Sequence, residues 1–228
     1  MSCRRRRVET GGESEETAGH MAVHRVIESH AAAQGGTIAF SGNGVTLSYR
    51  ELNQRANSVA RHLMAAGFKR GSLATVRMPR CCEAAVAMLG VLKAGGMFVF
   101  IDEDRDADVA WPRGIAFAES TGPDEVRYRA IDLTAILDKP ATSSANLPVV
   151  SRASDIACVI PDRDGSPLVL VPHSTILALN GKPVPRVAEW SGEPGALDLW
   201  MALMDGATVR LGDSVASARS AMPETVAA

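Results

Sequence analysis

Aromatic residues are scarce in this sequence: five Phe, three Trp and two Tyr amount to 4% of 228 residues. Most of any core must therefore come from Ala, Val, Leu, Ile and Met. No apolar run approaches the ~20 residues that a bilayer-spanning helix needs, so no membrane span is expected. The formal net charge is only -2, which excludes a general electrostatic claim on nucleic acid or an anionic membrane. Cysteines number four: Cys3, Cys81, Cys82 and Cys158. Their spacing fits neither a zinc pattern nor a disulfide framework, and the neighbours Cys81 and Cys82 read as thiols in a helix rather than a redox pair. A reducing cytoplasm is the expected compartment. Arg4, Arg5, Arg6 and Arg7 are not followed by an apolar segment, so no secretory signal is read.

What remains is a composition of 46% hydrophobic and 22% charged residues, the balance of a soluble globular chain. The length suits one large domain or two small ones. Residues 1–20 are polar and cannot bury enough apolar surface to order themselves; Met21 offers an alternative start of translation. From His24 to Ala33 the apolar spacing suits a helix, ended by Gly35 and Gly36. Thr37–Phe40 and Val45–Leu47, separated by Ser41, Gly42, Asn43 and Gly44, read as a β-hairpin. Ser48 and Glu51 form a capping box, and Leu52, Ala56, Val59, Ala60, Leu63 and Met64 recur at helical spacing as far as Gly67.

Leu73–Met78 reads as a strand, Glu83–Lys93 as a buried helix, and Met97–Ile101 as a strand covered on both faces. That order implies a right-handed parallel crossover. Ile115–Glu119 reads as helical and Thr142–Asn146 as a loop. Ile156–Ile160 and Leu168–Val171 read as strands, His173–Asn180 and Ala196–Met204 as helices, and Ala207–Leu211 as a last strand. Residues 216–228 read as a fraying tail.

Two stretches carry a specific resemblance. Leu47-Ser48-Tyr49-Arg50-Glu51-Leu52, followed by Arg55-Ala56-Asn57, resembles the first core motif of nonribosomal peptide synthetase adenylation domains. Leu92-Lys93-Ala94-Gly95-Gly96, running into Phe98-Val99-Phe100-Ile101-Asp102, resembles the second. The resemblance is close from Ala22 to Asp102 and looser to Leu211. It implies the N-terminal subdomain of the adenylate-forming fold, an α/β architecture of parallel strands flanked by helices, plus an incomplete second α/β unit. The expected partition is a tail at 1–20, the N-terminal subdomain at 21–150, a remnant of a second subdomain at 151–212, and a tail at 213–228. These motifs build scaffold; they identify a fold better than an activity.

The family couples an acid to AMP, and its phosphate loop reads approximately Y-T-S-G-S-T-G-x-P-K-G. Such loops hold phosphate through N–H groups and hydroxyls. Here the flanks, Asp155–Ile160 and Val169–His173, resemble those of the family. Between them lies Pro161-Asp162-Arg163-Asp164-Gly165-Ser166-Pro167-Leu168, with neither the Gly/Ser/Thr run nor the lysine. Asp162 and Asp164 would repel a triphosphate; like charges ~4 Å apart cost about 1 kcal/mol even in bulk water.

The resemblance leaves Gly165, Ser166 and His173 as candidate nucleotide contacts. Glu193, in Gly192-Glu193-Pro194-Gly195 where the family has F-D-x-S, is a candidate substrate contact. Each also has a structural reading, as a turn, a helix start or a surface loop. No catalytic or metal-binding residue is assigned. No cofactor is expected; ATP and Mg would enter if the family activity survives. After Leu211 the resemblance stops, and the chain reads as truncated as well as degenerate.

Three functions stand open, in this order. The first is a noncatalytic adenylation-like protein that contacts a peptide synthetase module or another pathway protein. The second is an amino-acid or aryl-acid adenylating ligase active only with a partner chain. The third is a nonfunctional gene remnant. Whether the chain is an enzyme is left open; nucleic acid and membrane are not expected partners.

Overall fold

A computed structural model describes residues 22–42, 44–102, 115–118, 129–138, 143, 145–160, 169–180, 182, 184–190 and 195–211. Helix α1 (Val23–Gln34) buries Val23, Ile27 and Ala31, which repeat every four residues along one face. Strands β1 (Ile38–Gly42) and β2 (Val45–Ser48) pair antiparallel, with Phe40 opposite Leu47 and Gly42 opposite Val45. Helix α2 (Tyr49–Ala65) starts at the expected capping box: the Ser48 side chain accepts the Glu51 N–H, and Glu51 accepts the Ser48 N–H at 2.8 Å. The helix ends before Gly67, whose φ of +88° places it in the left-handed region that glycine tolerates.

Strand β3 (Leu73–Met78), helix α3 (Cys82–Lys93) and strand β4 (Met97–Asp102) follow as the sequence predicts, and β3 and β4 pair parallel from Leu73–Met97 onward. Helix α3 packs on α2 at Gly90: a Cβ there would meet Val59 Cγ1 at 2.5 Å, so the close approach needs a residue without a side chain. Strands β5 (Ile115–Ala118) and β6 (Arg129–Ile131) extend the sheet, and the short helix α4 (Leu133–Leu137) follows. The helical reading of 115–119 is thus corrected. Residues 115–118 form a strand because β3 and β6 both supply a parallel ladder, and these long-range bonds override an ambiguous local period.

The remaining elements are β7 (Ile156–Ile160), β8 (Val169–Pro172), α5 (His173–Leu177), β9 (Val187–Glu189), α6 (Gly195–Met204) and β10 (Thr208–Arg210). Two mixed sheets result, ordered β6-β5-β3-β4-β7-β8 and β2-β1-β10-β9. Strands from both sides of residue 150 share these sheets: β7 lies beside β4, and β10 beside β1. The main core runs through both portions, where Phe98 of β4 meets Trp200 of α6 with ring centroids 5.9 Å apart. Among the described residues no helix is long and apolar enough to cross a membrane.

Candidate functional site

Strands β5, β3, β4 and β7 run parallel, so their C-terminal ends lie along one edge of the larger sheet. The chain leaves β4 toward β5, on the far side of β3. It leaves β7 toward β8, on the other side. Where adjacent parallel strands send their connections in opposite directions, a crevice opens at their carboxyl ends. The β4–β7 pair is such a place, and the connection 161–168 departs from it. Gly165 and Ser166 lie outside the described residues; their segment is anchored at Ile160.

A buried ion pair marks the same edge. Arg80, just beyond β3, donates through Nε to Asp102 Oδ2 at 2.7 Å, and through Nη1 to the carbonyl of Trp190 at 3.2 Å. The side chains of Arg80 and Asp102 are 13% and 4% exposed, so the pair is largely desolvated. Phe100 packs on Trp190, with ring centroids 5.4 Å apart. The register Phe98–Cys158 and Val99–Val159, carried one residue further, sets Ile160 beside Phe100. The segment after Ile160 and the segment after Trp190 therefore begin close together. Glu193, three residues past Trp190, lies outside the described residues.

His173 lies elsewhere. Pro172 pairs with Ile156, so His173 sits at the start of β7, some four residues or ~13 Å from the edge where 161–168 departs. Its backbone N–H bonds to the Asp155 carbonyl at 2.9 Å. Its ring is fully buried, and Nδ1 accepts the N–H of Val23 at 3.2 Å. Burial holds this imidazole down at about 4, against a weaker opposing pull from Asp155. The imidazole thus faces helix α1 and is a neutral core group at physiological pH.

Sequence reasoning passed over a buried polar cluster on α1 and α3. Lys93, which closes α3, is bonded to Glu28 of α1, with side-chain exposures of 1% and 5%. Arg25 meets Glu28 from outside at 2.7 Å. His24, one turn before Glu28, is buried and held well below its ordinary range, chiefly by desolvation and then by Lys93. A usable signal existed: His24 and Glu28 adjoin the apolar stripe Val23–Ile27–Ala31. The Cys82 and Cys158 thiols are each pushed up by burial to about 12 and are not nucleophiles.

The family model "AMP-binding enzyme" matches residues 27–129. Surfactin synthase subunit 2 of Bacillus subtilis is 32% identical over 213 residues, covering 83% of this chain. The chain belongs to the AMP-binding family, as a segment of the nonribosomal peptide synthetase adenylation type. Bacitracin synthase 1 of Bacillus licheniformis is 28% identical over 210 residues and also covers 83% of the chain. The chain spans 6% and 4% of the lengths of these two relatives. A solved structure, the N-terminal subdomain of Klebsiella oxytoca NpsA, shares the fold at a TM-score of 0.69 and 21% identity, over 87% of this chain and 58% of that one.

At the described edge the guanidinium of Arg80 is already paired with Asp102, which leaves it a poor partner for a nucleotide phosphate. Among the described residues no group of three His, Cys, Asp or Glu could hold a metal ion.

Proposed function

We propose that this chain is a noncatalytic adenylation-like protein of nonribosomal peptide biosynthesis, working in the cytoplasm by binding a synthetase module or another protein of the same pathway. The observation that carries this reading is the connection between β7 and β8. Pro161–Leu168 holds two aspartates, one arginine and no lysine where the resemblance calls for a Gly/Ser/Thr cradle. Electrostatic stabilisation of phosphoryl charge is the largest contribution in such chemistry, and that connection does not offer it. Edge strand β8 supports binding: Val169 and Leu170 are 55% and 58% exposed, in a strand that ends the larger sheet among the described residues. In the same reading, 151–212 descends from a second subdomain and Gly165, Ser166, His173 and Glu193 no longer hold ligand.

Calorimetric titration with ATP and Mg, together with ATP–pyrophosphate exchange over a panel of amino and aryl acids, tests the catalytic half. No heat of binding and no exchange above background are expected; exchange by the isolated chain overturns the reading. Affinity capture from producing cells tests the binding half. A peptide synthetase module identified by mass spectrometry supports it, and the absence of any specific partner sinks it.

A second reading is favoured by the retained edge geometry, in which both altered segments begin beside Phe100. In it the chain is an acid-adenylating ligase, using ATP and Mg, completed by a partner chain. Exchange activity appearing only when the captured partner is added back decides for this reading.

A further inference from the structure

Val23 opens α1, and its N–H is one of the donors that a helix start leaves without an internal partner. It finds one on another element: Nδ1 of His173, the first residue of α5, at 3.2 Å. Nδ1 can accept only while it carries no proton, so neutral His173 must hold its proton on Nε2. That Nε2 is buried and has no hydrogen-bond partner among the described residues. The neighbouring His24 packs edge-on against the same ring, with centroids 6.2 Å apart and planes at 77°. Its Nδ1 is likewise buried, without a partner among the described residues. Two such imidazoles in one buried junction are a poor choice for stability alone, because each leaves a buried nitrogen without a partner among the described residues.

We propose that the His24–His173 pair is an acid-operated latch, which in its neutral form fastens the first turn of α1 to the β8–α5 junction and on protonation lets that turn go. A proton added at His173 Nδ1 turns the acceptor of the Val23 N–H into a donor that opposes it. A proton added at His24 meets unfavourable charge from Lys93 of α3, from Arg25 on its own helix and from a protonated His173. Glu28 cannot compensate, because Lys93 and Arg25 already hold it. Arg61 of α2 adds further positive charge around Lys93. Asp155, in the connection before β7, pulls the other way on His173, but Arg70 grips it through two bonds of 2.8 and 2.6 Å. Release uncovers Ala22, Val23 and Ile27, all fully buried when the latch is closed.

The direction follows from linkage. In the open turn His173 regains its ordinary value near 6.5, whereas closed it sits at about 4. Protons therefore bind the open form first. Closure is fully stable above ~6.5 and weakens as the pH falls toward 4. For His173 alone, the opening equilibrium rises roughly fifty-fold between pH 7 and 4.5.

Amide hydrogen exchange of the full chain from pH 7 to 4.5, normalised to intrinsic rates, tests the latch. The expected result is a roughly fifty-fold loss of protection, concentrated in residues 22–28 and 169–177. His173→Asn places an oxygen near the Nδ1 position that accepts but does not titrate. It should keep protection at pH 7 and lose most of the pH dependence. Equal loss of protection in His173→Asn and the parent chain overturns the proposal. Should that variant not fold, ring nitrogen titration of the parent chain decides. An unprotonated His173 Nδ1 at pH 7, titrating well below 6.5, supports the latch. A ring titrating near 6.5 while α1 stays protected refutes it.

Discussion

Lys93 shows how a single letter of a recognisable motif can hide its physics. In sequence it reads as the end of an apolar helix and the start of a turn. In the structure its ammonium is one of the least exposed charges, pulled down by desolvation and sustained by Glu28. Without Lys93, buried Glu28 keeps, among the described residues, only Arg25, which meets it from the exposed side. Lys93→Met should therefore cost about 1.5–3 kcal/mol in urea unfolding, the range for a lost hydrogen bond to a charged group. Combining it with Glu28→Gln should cost less than the two separate losses added together, and a double-mutant cycle measures that coupling. Strict additivity would show that the pair does not act as a unit. The pairing was not legible beforehand, because Glu28 and Lys93 lie 65 residues apart. The same holds at the larger sheet's edge: Asp102 was visible as a motif residue, but its hold on Arg80, and through Arg80 on Trp190, required the fold.

Local signals were most faithful in the helices. The capping box at the start of α2 was readable because all its parts lie within four residues. Ser48→Ala should cost about 1 kcal/mol in thermal or urea unfolding. Glu51 is held below its ordinary value by its bonds to Ser48. Its contribution is thus present above the unfolded carboxyl value and lost as the pH falls through the lowered one, so the Ser48→Ala deficit should shrink in acid. A deficit that stays constant to pH 3 would sever the box from this titration. Where α3 crosses α2, Gly90→Ala should destabilise by about 1–3 kcal/mol, because its methyl group meets Val59 Cγ1. Val59→Ala in the same chain should recover part of that loss. The elements missed in sequence are short: β6 and β9 have three residues each and α4 has five. Too few positions exist there to display a period, and their ladders are supplied by strands far away. The same shortage allowed 115–118 to be misread as helix.

At the scale of the molecule, sheet order was beyond local reading, since it depends on which distant strands meet. The larger sheet takes β7 and the smaller one β10, both from beyond residue 150, and one core runs through both. The chain should therefore unfold in a single transition. Fluorescence of the three tryptophans, Trp111, Trp190 and Trp200, should coincide with far-UV circular dichroism. Two resolved transitions would instead divide the chain near residue 150. The smaller sheet carries one more consequence. Its first hairpin borders β10, with Phe40 beside Val209, and Thr208 reaches the Ile38 carbonyl at 2.8 Å. During synthesis the hairpin is made long before its neighbour β10, and closing so long a loop is slow. Until β10 emerges, the nascent chain must therefore present an unpaired β1 edge to the cell. This exposes it to strand-adding partners and to chaperones until β10 has left the ribosome.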